Sequence, residues 1–261
     1  MPSPSCARCN VRSGNTSIAD VVTFRRLMRS YAVRRALALE RQRRWCLAHA
    51  SPGALRDYYA VPFVAPTTAS VECAFLALDI ETTGLAPHRD EILSIGFVPI
   101  DHHGLRLGGA HHYLVRPEQA IPESSAIVHG ILDDRAGQGM PLADALPPLL
   151  HALTGRVLVA HGARIEHDFI DAACRRLYGC HFVAPLVDTL ELERRAVARA
   201  GRVSAPGSLR LDALRERYGL PRYRAHDALN DAIASGELLL AQVAYRSGKH
   251  GTRLVDLLRP V

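Results

Sequence analysis

The stretch Phe75-Leu76-Ala77-Leu78-Asp79-Ile80-Glu81-Thr82-Thr83-Gly84-Leu85 decides the fold. From Ala74 to Ile80 the run is short and apolar around one aspartate, and Thr82-Thr83-Gly84 closes it, which is the pattern of a buried strand that leads into a turn. Side chains two apart on a strand point to one face, so Asp79 and Glu81 converge at its end. Two ionised carboxylates at the edge of an apolar strand repel each other and lose hydration, a costly arrangement unless a cation sits between them. Oxygen ligands alone favour magnesium or manganese over zinc. Taken by itself, an Asp-x-Glu pair also suits a strand end that faces solvent.

Outward from that strand the chain reads as mixed strand and helix. Ile92 to Ile100 and His111 to Val115 are expected as two further strands, joined through the Gly-rich stretch Gly104 to Gly109 as a meander. Pro141 to Leu153 is expected as a helix, Arg156 to Ala160 as a fourth buried strand, Ile165 to Tyr178 as a helix and Leu186 to Thr189 as a short fifth strand. Two helices follow, Ser208 to Tyr218 with Ser208 as its cap and Ala225 to about Tyr245. Strands alternating with helices after an opening meander imply an α/β domain with a mixed five-stranded sheet flanked by helices.

Two more segments carry chemistry. The fourth strand runs into His161-Gly162-Ala163-Arg164-Ile165-Glu166, which places an acid near the carboxyl end of the sheet, where ligands gather in open α/β sheets. Glu166 also fits the ordinary role of a surface helix residue. The last helix opens with His226-Asp227-Ala228-Leu229-Asn230-Asp231. At about 100° per residue, His226 and Asp231 would stand about 140° apart on a regular helix. They share a target only if His226 precedes the helix proper, a position that suits a general base reaching a water. Asp227 reads as the helix cap.

In this order the segments resemble the DnaQ-like exonucleases of the RNase H-like fold, the DNA polymerase III epsilon type with an Asp-Glu-Asp-Asp-His signature. The first motif matches closely over Phe75 to Leu85, the third over Ala225 to Asp231, and Val128-His129-Gly130-Ile131 looks like the stretch between the first two. The resemblance covers about residues 72–245. In the second motif the chain has Gly162 where the family has asparagine, and Glu166 where it has aspartate. Asp168 competes with Glu166 for that role. Glu166 is preferred because it keeps the family register, whereas Asp168 lies about 200° further round the helix.

The resemblance implies a 3′–5′ exonuclease acting on single-stranded or 3′-ended nucleic acid, with DNA the expected substrate and nucleoside 5′-monophosphates the products. It implies two divalent cations, Mg²⁺ or Mn²⁺: Asp79, Glu81 and Asp231 hold one, and Asp79 and Glu166 hold the second directly or through water. His226 takes the proton from the attacking water. It also implies that Thr82, Thr83, Leu85, His129 and His161 contact substrate, Leu85 as a wedge against the terminal base. Turn chemistry, and a core position for Leu85, explain the same residues without a ligand. These positions do not separate DNA from RNA, so an exoribonuclease trimming RNA 3′ ends is the alternative enzyme. From another class, a catalytically inactive nucleic-acid adaptor would use the basic N-terminus, although the other polar positions of the signature are all present. Association with a polymerase has no support in a C-terminal segment of the sliding-clamp type.

The rest of the chain bounds these expectations. With 261 residues and 48% hydrophobic content it can build a substantial core. The net charge of +6 is unevenly spread. Residues 1–60 hold eleven arginines against Asp20, Glu40 and Asp57, a net of +8, while the other 201 residues carry 21 basic and 23 acidic side chains, a net of −2. Residues 1–17 read as a disordered tail and 18–70 as an Arg-rich helical extension with a connector. Residues 71–248 read as the exonuclease domain and 249–261 as a C-terminal tail. Within the extension, Phe24, Leu27, Met28 and Tyr31 recur at helical spacing between arginines, while 51–70, with Pro52, Gly53, Pro62 and Pro66, reads as irregular. An organelle transit peptide has a similar composition. The six cysteines are scattered, and reduced thiols are expected. Cys6 and Cys9 have the spacing of half a zinc site without a second half. No stretch is long and apolar enough to span a bilayer, no secretory signal is evident, and a cytoplasmic location is expected.

Overall fold

Leu76, Leu78 and Ile80 alternate with Phe75 and Ala77 along the first strand, and this alternation builds the molecule in two cores. A computed structural model describes residues 34, 37–123, 125, 129, 131, 136–223, 226–246 and 251–258. Strand β1 (Phe75–Thr82) lies at the centre of a six-stranded sheet with β2 (Ile92–Asp101), β3 (Gly104–Leu105), β4 (His111–Leu114), β5 (Val157–Ala160) and β6 (Leu186–Asp188). The order is β3-β2-β1-β5-β6, with β4 also on β2. β2 runs antiparallel to β1, while β5 and β6 run parallel to it, so the sheet is mixed as expected. The sixth strand is a correction. Two residues at β3 are too few to show a period of two, and they pair with Ile100 and Asp101 across the His102-His103 turn, with Gly104 at φ 101° opening the strand.

The helices are α1 (Ala54–Ala60), α2 (Leu142–Leu153), α3 (Arg164–Tyr178), α4 (Thr189–Arg199), α5 (Leu211–Arg217), α6 (Ala228–Arg246) and α7 (Leu254–Leu257). The even residues of β1 enter one core with Leu149 of α2, Phe169 and Ile170 of α3, and Tyr58 and Tyr59 of α1. The odd residues Phe75 and Ala77 enter the second core with Leu239 of α6 and Leu254 and Leu257 of α7. Asp79 and Glu81 continue the odd series, so β1 presents both acids to the face that α6 covers.

Three further expectations change. Residues 51–70 contain the helix α1, because Leu55, Tyr58 and Tyr59 recur at helical spacing and are buried, while the prolines and Gly53 only bracket it. Tyr59 Oη donates to the carbonyl of His181, and Tyr58 Oη to that of Val183, which fastens this segment to the main core. Residues 251–258, expected as a tail, are packed: Leu254 and Leu257 are buried, and the Ser70 N–H donates to the Thr252 carbonyl at 2.8 Å. Ser208 does not cap α5. Arg210 occupies that position with no side-chain cap bond, and the Ser208 hydroxyl donates to the Ala205 carbonyl.

The basic extension is helical over 37–49. Cys46 and Ala50 join the first core from it, and Arg43 donates to Glu40 and to the Tyr59 carbonyl. Phe24, Leu27, Met28, Tyr31, Cys6, Cys9 and the segment 1–17 lie outside the described residues. Cys46, Cys73, Cys174 and Cys180 are free and buried. Among the described residues no helix is long and apolar enough to cross a membrane.

Candidate active site

One glycine brings the third motif to the first. Gly96 lies opposite Asp79 in the β1–β2 ladder and shares its face. A Cβ at Gly96 would lie 2.2 Å from the Ala228 carbonyl carbon and from the Leu229 nitrogen, so only glycine lets the start of α6 rest on the sheet at this point. Further along α6 the packing at Gly236 is tight but milder: a Cβ there would lie 3.1 Å from the Ile100 side chain and 3.2 Å from that of Ala77. With the helix held down, Asp231 in its first turn meets the acids of β1. One carboxylate oxygen from each of Asp79, Glu81 and Asp231 lies within 4.8 Å of the others. The motif reading overlooked Gly96, and a glycine inside the strand run Ile92 to Ile100 is the signal that marks it.

The electrostatics of this cluster are unfavourable in the absence of a counter-charge. Burial pushes the Asp79 carboxyl well above the usual carboxylate range, and the charges of Glu166, Glu81, Asp231 and Asp227 push the same way. Burial also raises Asp231, against the opposing effect of a hydrogen bond from the His226 N–H. Ser94, opposite Glu81 on β2, is fully buried with no partner for its hydroxyl among the described residues. Converging all-oxygen donors whose protons are hard to remove without compensation suit a hard divalent cation, so the residues present fit such an ion.

The histidines flank the acids. His226 stands before α6 with φ 64°, the one non-glycine residue with positive φ among those described, and its N–H donates to Asp231 Oδ2 at 2.8 Å. Asp227 caps the helix by accepting from the Asn230 N–H at 3.0 Å. His129 places Nδ1 against Glu81 Oε2, and its ring centroid is 6.2 Å from that of His226. Val128 and Gly130 lie outside the described residues.

Glu166 and Asp168 part company. Glu166, in the first turn of α3, is 5% exposed, and among the like charges acting on Asp79 its effect is the largest. Asp168 is 41% exposed and pairs with Arg164 and His167. Thr82 is buried and donates its hydroxyl to the Gly84 carbonyl at 2.7 Å, while Thr83 Oγ1 accepts from the Glu91 N–H. The buried Ser125 hydroxyl donates to the Thr82 carbonyl, a support for the turn that the sequence did not signal. Leu85 is 78% exposed, so it is not a core residue. His161 differs from the rest. Its Nε2 donates to the Leu209 carbonyl at 3.0 Å and its Nδ1 meets the Thr189 hydroxyl at 2.9 Å, and burial lowers its pKa. The structure commits both ring nitrogens to the protein, and a polar contact from them to substrate would break one of these bonds.

The Exonuclease (RNase_T) family profile matches residues 76–239. A DNA polymerase III subunit epsilon of Treponema pallidum is 30% identical over 181 residues, which cover 68% of this chain and 80% of that protein. A PolC-type DNA polymerase III of Thermotoga maritima is 31% identical over 169 residues, 65% of this chain but 12% of the polymerase, so the likeness is to one small part of it. Among solved structures, a zinc-bound complex of E. coli exonuclease I with single-stranded DNA superposes with a TM-score of 0.58 at 18% identity, covering 68% of this chain and 42% of that one. That last likeness bears on the fold.

Proposed function

The chain belongs to the RNase_T exonuclease family, and from that premise we propose that it is a 3′–5′ exonuclease that releases nucleoside 5′-monophosphates from single-stranded nucleic acid. DNA is the favoured substrate. The observation that carries the reading is the convergence of Asp79, Glu81 and Asp231, from two strand positions and a helix, to within 4.8 Å. The names of the relatives, DNA polymerase III subunits and a nuclease bound to single-stranded DNA, support the choice of substrate.

A pair of magnesium or manganese ions would activate the attacking water and neutralise charge on the leaving 3′ oxygen. Asp79, Glu81 and Asp231 would hold one ion, and Asp79 with the buried Glu166 the other. His226, exposed before α6 and anchored through its backbone to Asp231, takes the proton from the water. His129 orients Glu81. The Thr82–Thr83 turn, hydrogen-bonded to Gly84 and Glu91, presents its backbone to the terminal nucleotide, and the exposed Leu85 packs against its base.

The test is mononucleotide release from matched single strands of DNA and RNA with magnesium or manganese. Metal-dependent release from the 3′ end that is abolished by Asp79→Asn supports the reading. Unchanged activity in that variant sinks it, and faster release from RNA would move the substrate to RNA.

A further inference from the structure

A second feature lies along the same edge of the sheet. In the parallel ladder Ala77 of β1 pairs with Val159, and β5 stops at Ala160, so β1 runs on past β5 and carries Asp79 level with His161. Neighbouring strands are about 5 Å apart, which sets the backbone of His161 beside that of Asp79. His161 is also part of the wall of an open groove of about 620 Å³ between the start of α4 and the 204–211 segment, with Leu190, Arg194, Pro206, Leu209 and Arg210 along it. The groove therefore opens at the same edge of the sheet as the acidic cluster.

The charge of the groove is opposite to that of the cluster. Arg194 is exposed and has no ion-pair or hydrogen-bond partner among the described residues. Arg210 is 70% exposed and reaches only the equally exposed Asp212, at 3.7 Å. Nearby, the Asp188 carboxylate is buried and accepts from the N–H groups of Gly162, Leu190 and Glu191, which hold it away from an ion pair with either arginine. With both ring nitrogens engaged, His161 offers its ring as wall, and the leucines and Pro206 offer apolar surface. One unpaired guanidinium, Arg194, and one held only by a long solvent-exposed pair, Arg210, beside an apolar wall suit a chain of phosphodiesters whose sugars and bases lie against the protein.

We propose that this groove binds the backbone of the substrate strand on the 5′ side of the scissile ester, with Arg194 and Arg210 as its phosphate contacts. The inference rests on the exonuclease reading for the identity of the strand, and the two can fail separately. Binding of a fluorescently labelled single strand, measured by anisotropy on the full chain without added metal, tests the groove where no hydrolysis occurs. In R194A/R210A the slope of log affinity against log salt falls by about 1.4, the share of two phosphates on a single strand. The double variant R194K/R210K keeps that slope. With metal present, the ratio of kcat/KM for a strand to that for a chromogenic mononucleotide ester falls on the order of tenfold in R194A/R210A, as two solvent-screened contacts are lost. An unchanged salt slope in R194A/R210A overturns the proposal even if the wild type is an exonuclease. A reduced slope in a protein that hydrolyses neither substrate would leave the groove standing and remove the exonuclease reading.

Discussion

The backbone N–H of His226 donates to Oδ2 of Asp231 at 2.8 Å. This bond closes the turn before α6 and fixes the backbone of one residue of the third motif to the carboxylate of the other. It also accounts for the conformation of His226, whose φ of 64° is a left-handed value that an L side chain adopts only where its surroundings impose it.

The strain at His226 separates stability from chemistry. A left-handed conformation costs an ordinary residue about 1–2 kcal/mol and glycine almost nothing. His226→Gly should therefore be more stable than His226→Ala by about 1 kcal/mol in thermal melts. If His226 is the general base, both variants lose about 10²–10⁴-fold in kcat while retaining bound metal. Equal melting temperatures would show that Asp231 does not hold the turn in this geometry.

Gly96→Ala should damage the site from beneath. The added methyl would meet the backbone of Ala228 and Leu229, which cannot rotate away, so α6 must lift and carry Asp231 from Asp79 and Glu81. Overpacking of this kind costs about 1–3 kcal/mol. Manganese affinity, measured by calorimetry, should fall together with the melting temperature. Gly108→Ala is the control, since nothing lies within 4 Å of its added carbon. A Gly96→Ala protein with wild-type metal affinity would show that the close approach does not position Asp231.

Glu166 and Asp168 give opposite expectations although they are two residues apart. Replacing the buried Glu166 with Gln removes a charge that acts on Asp79 and should weaken metal binding by about 10–100-fold. Asp168→Ala breaks only the solvent-facing pairs with Arg164 and His167, each worth roughly 0–1 kcal/mol, and should leave metal affinity alone. The reverse result would move the second motif by two residues.

The site was legible where one residue type had one reason to be there. Asp79 and Glu81 follow from strand alternation, and the need for His226 to precede its helix follows from arithmetic on 100° steps. The same reasoning missed α1, because Pro52, Gly53 and Pro62 dominate a window in which only Leu55, Tyr58 and Tyr59 carry the helical period. It also missed the burial of residues 251–258, since four helical residues are too few to show a period and their place in the second core depends on a pairing between Ala69 and Arg253 far apart in sequence. The protein partners of His161, Thr189 and Leu209, are also illegible in the sequence, because they come from chain segments that sequence order does not connect to it.

The raised pKa of Asp79 fixes the sign of a pH effect. Below the ordinary carboxylate value the group is protonated in both the folded and the unfolded chain, and its favourable contribution to folding is fully present. As pH rises, the unfolded chain ionises first while the half-buried Asp79 holds its proton, so the metal-free protein loses stability from that ordinary value up through the folded one. Asp231 acts in the same direction. Asp79→Asn cannot ionise and relieves the repulsion from Glu166, Glu81 and Asp231. Without metal the variant should therefore melt above the wild type near neutral pH, by ~2–4 °C for each kcal/mol of relief, and the gap should close as pH falls. Manganese should reverse the order, because a cation stabilises the ionised carboxylates that only the wild type possesses, and its effect should grow with pH. A variant that melts below the wild type at every pH without metal would mean that the cluster stabilises the fold by itself.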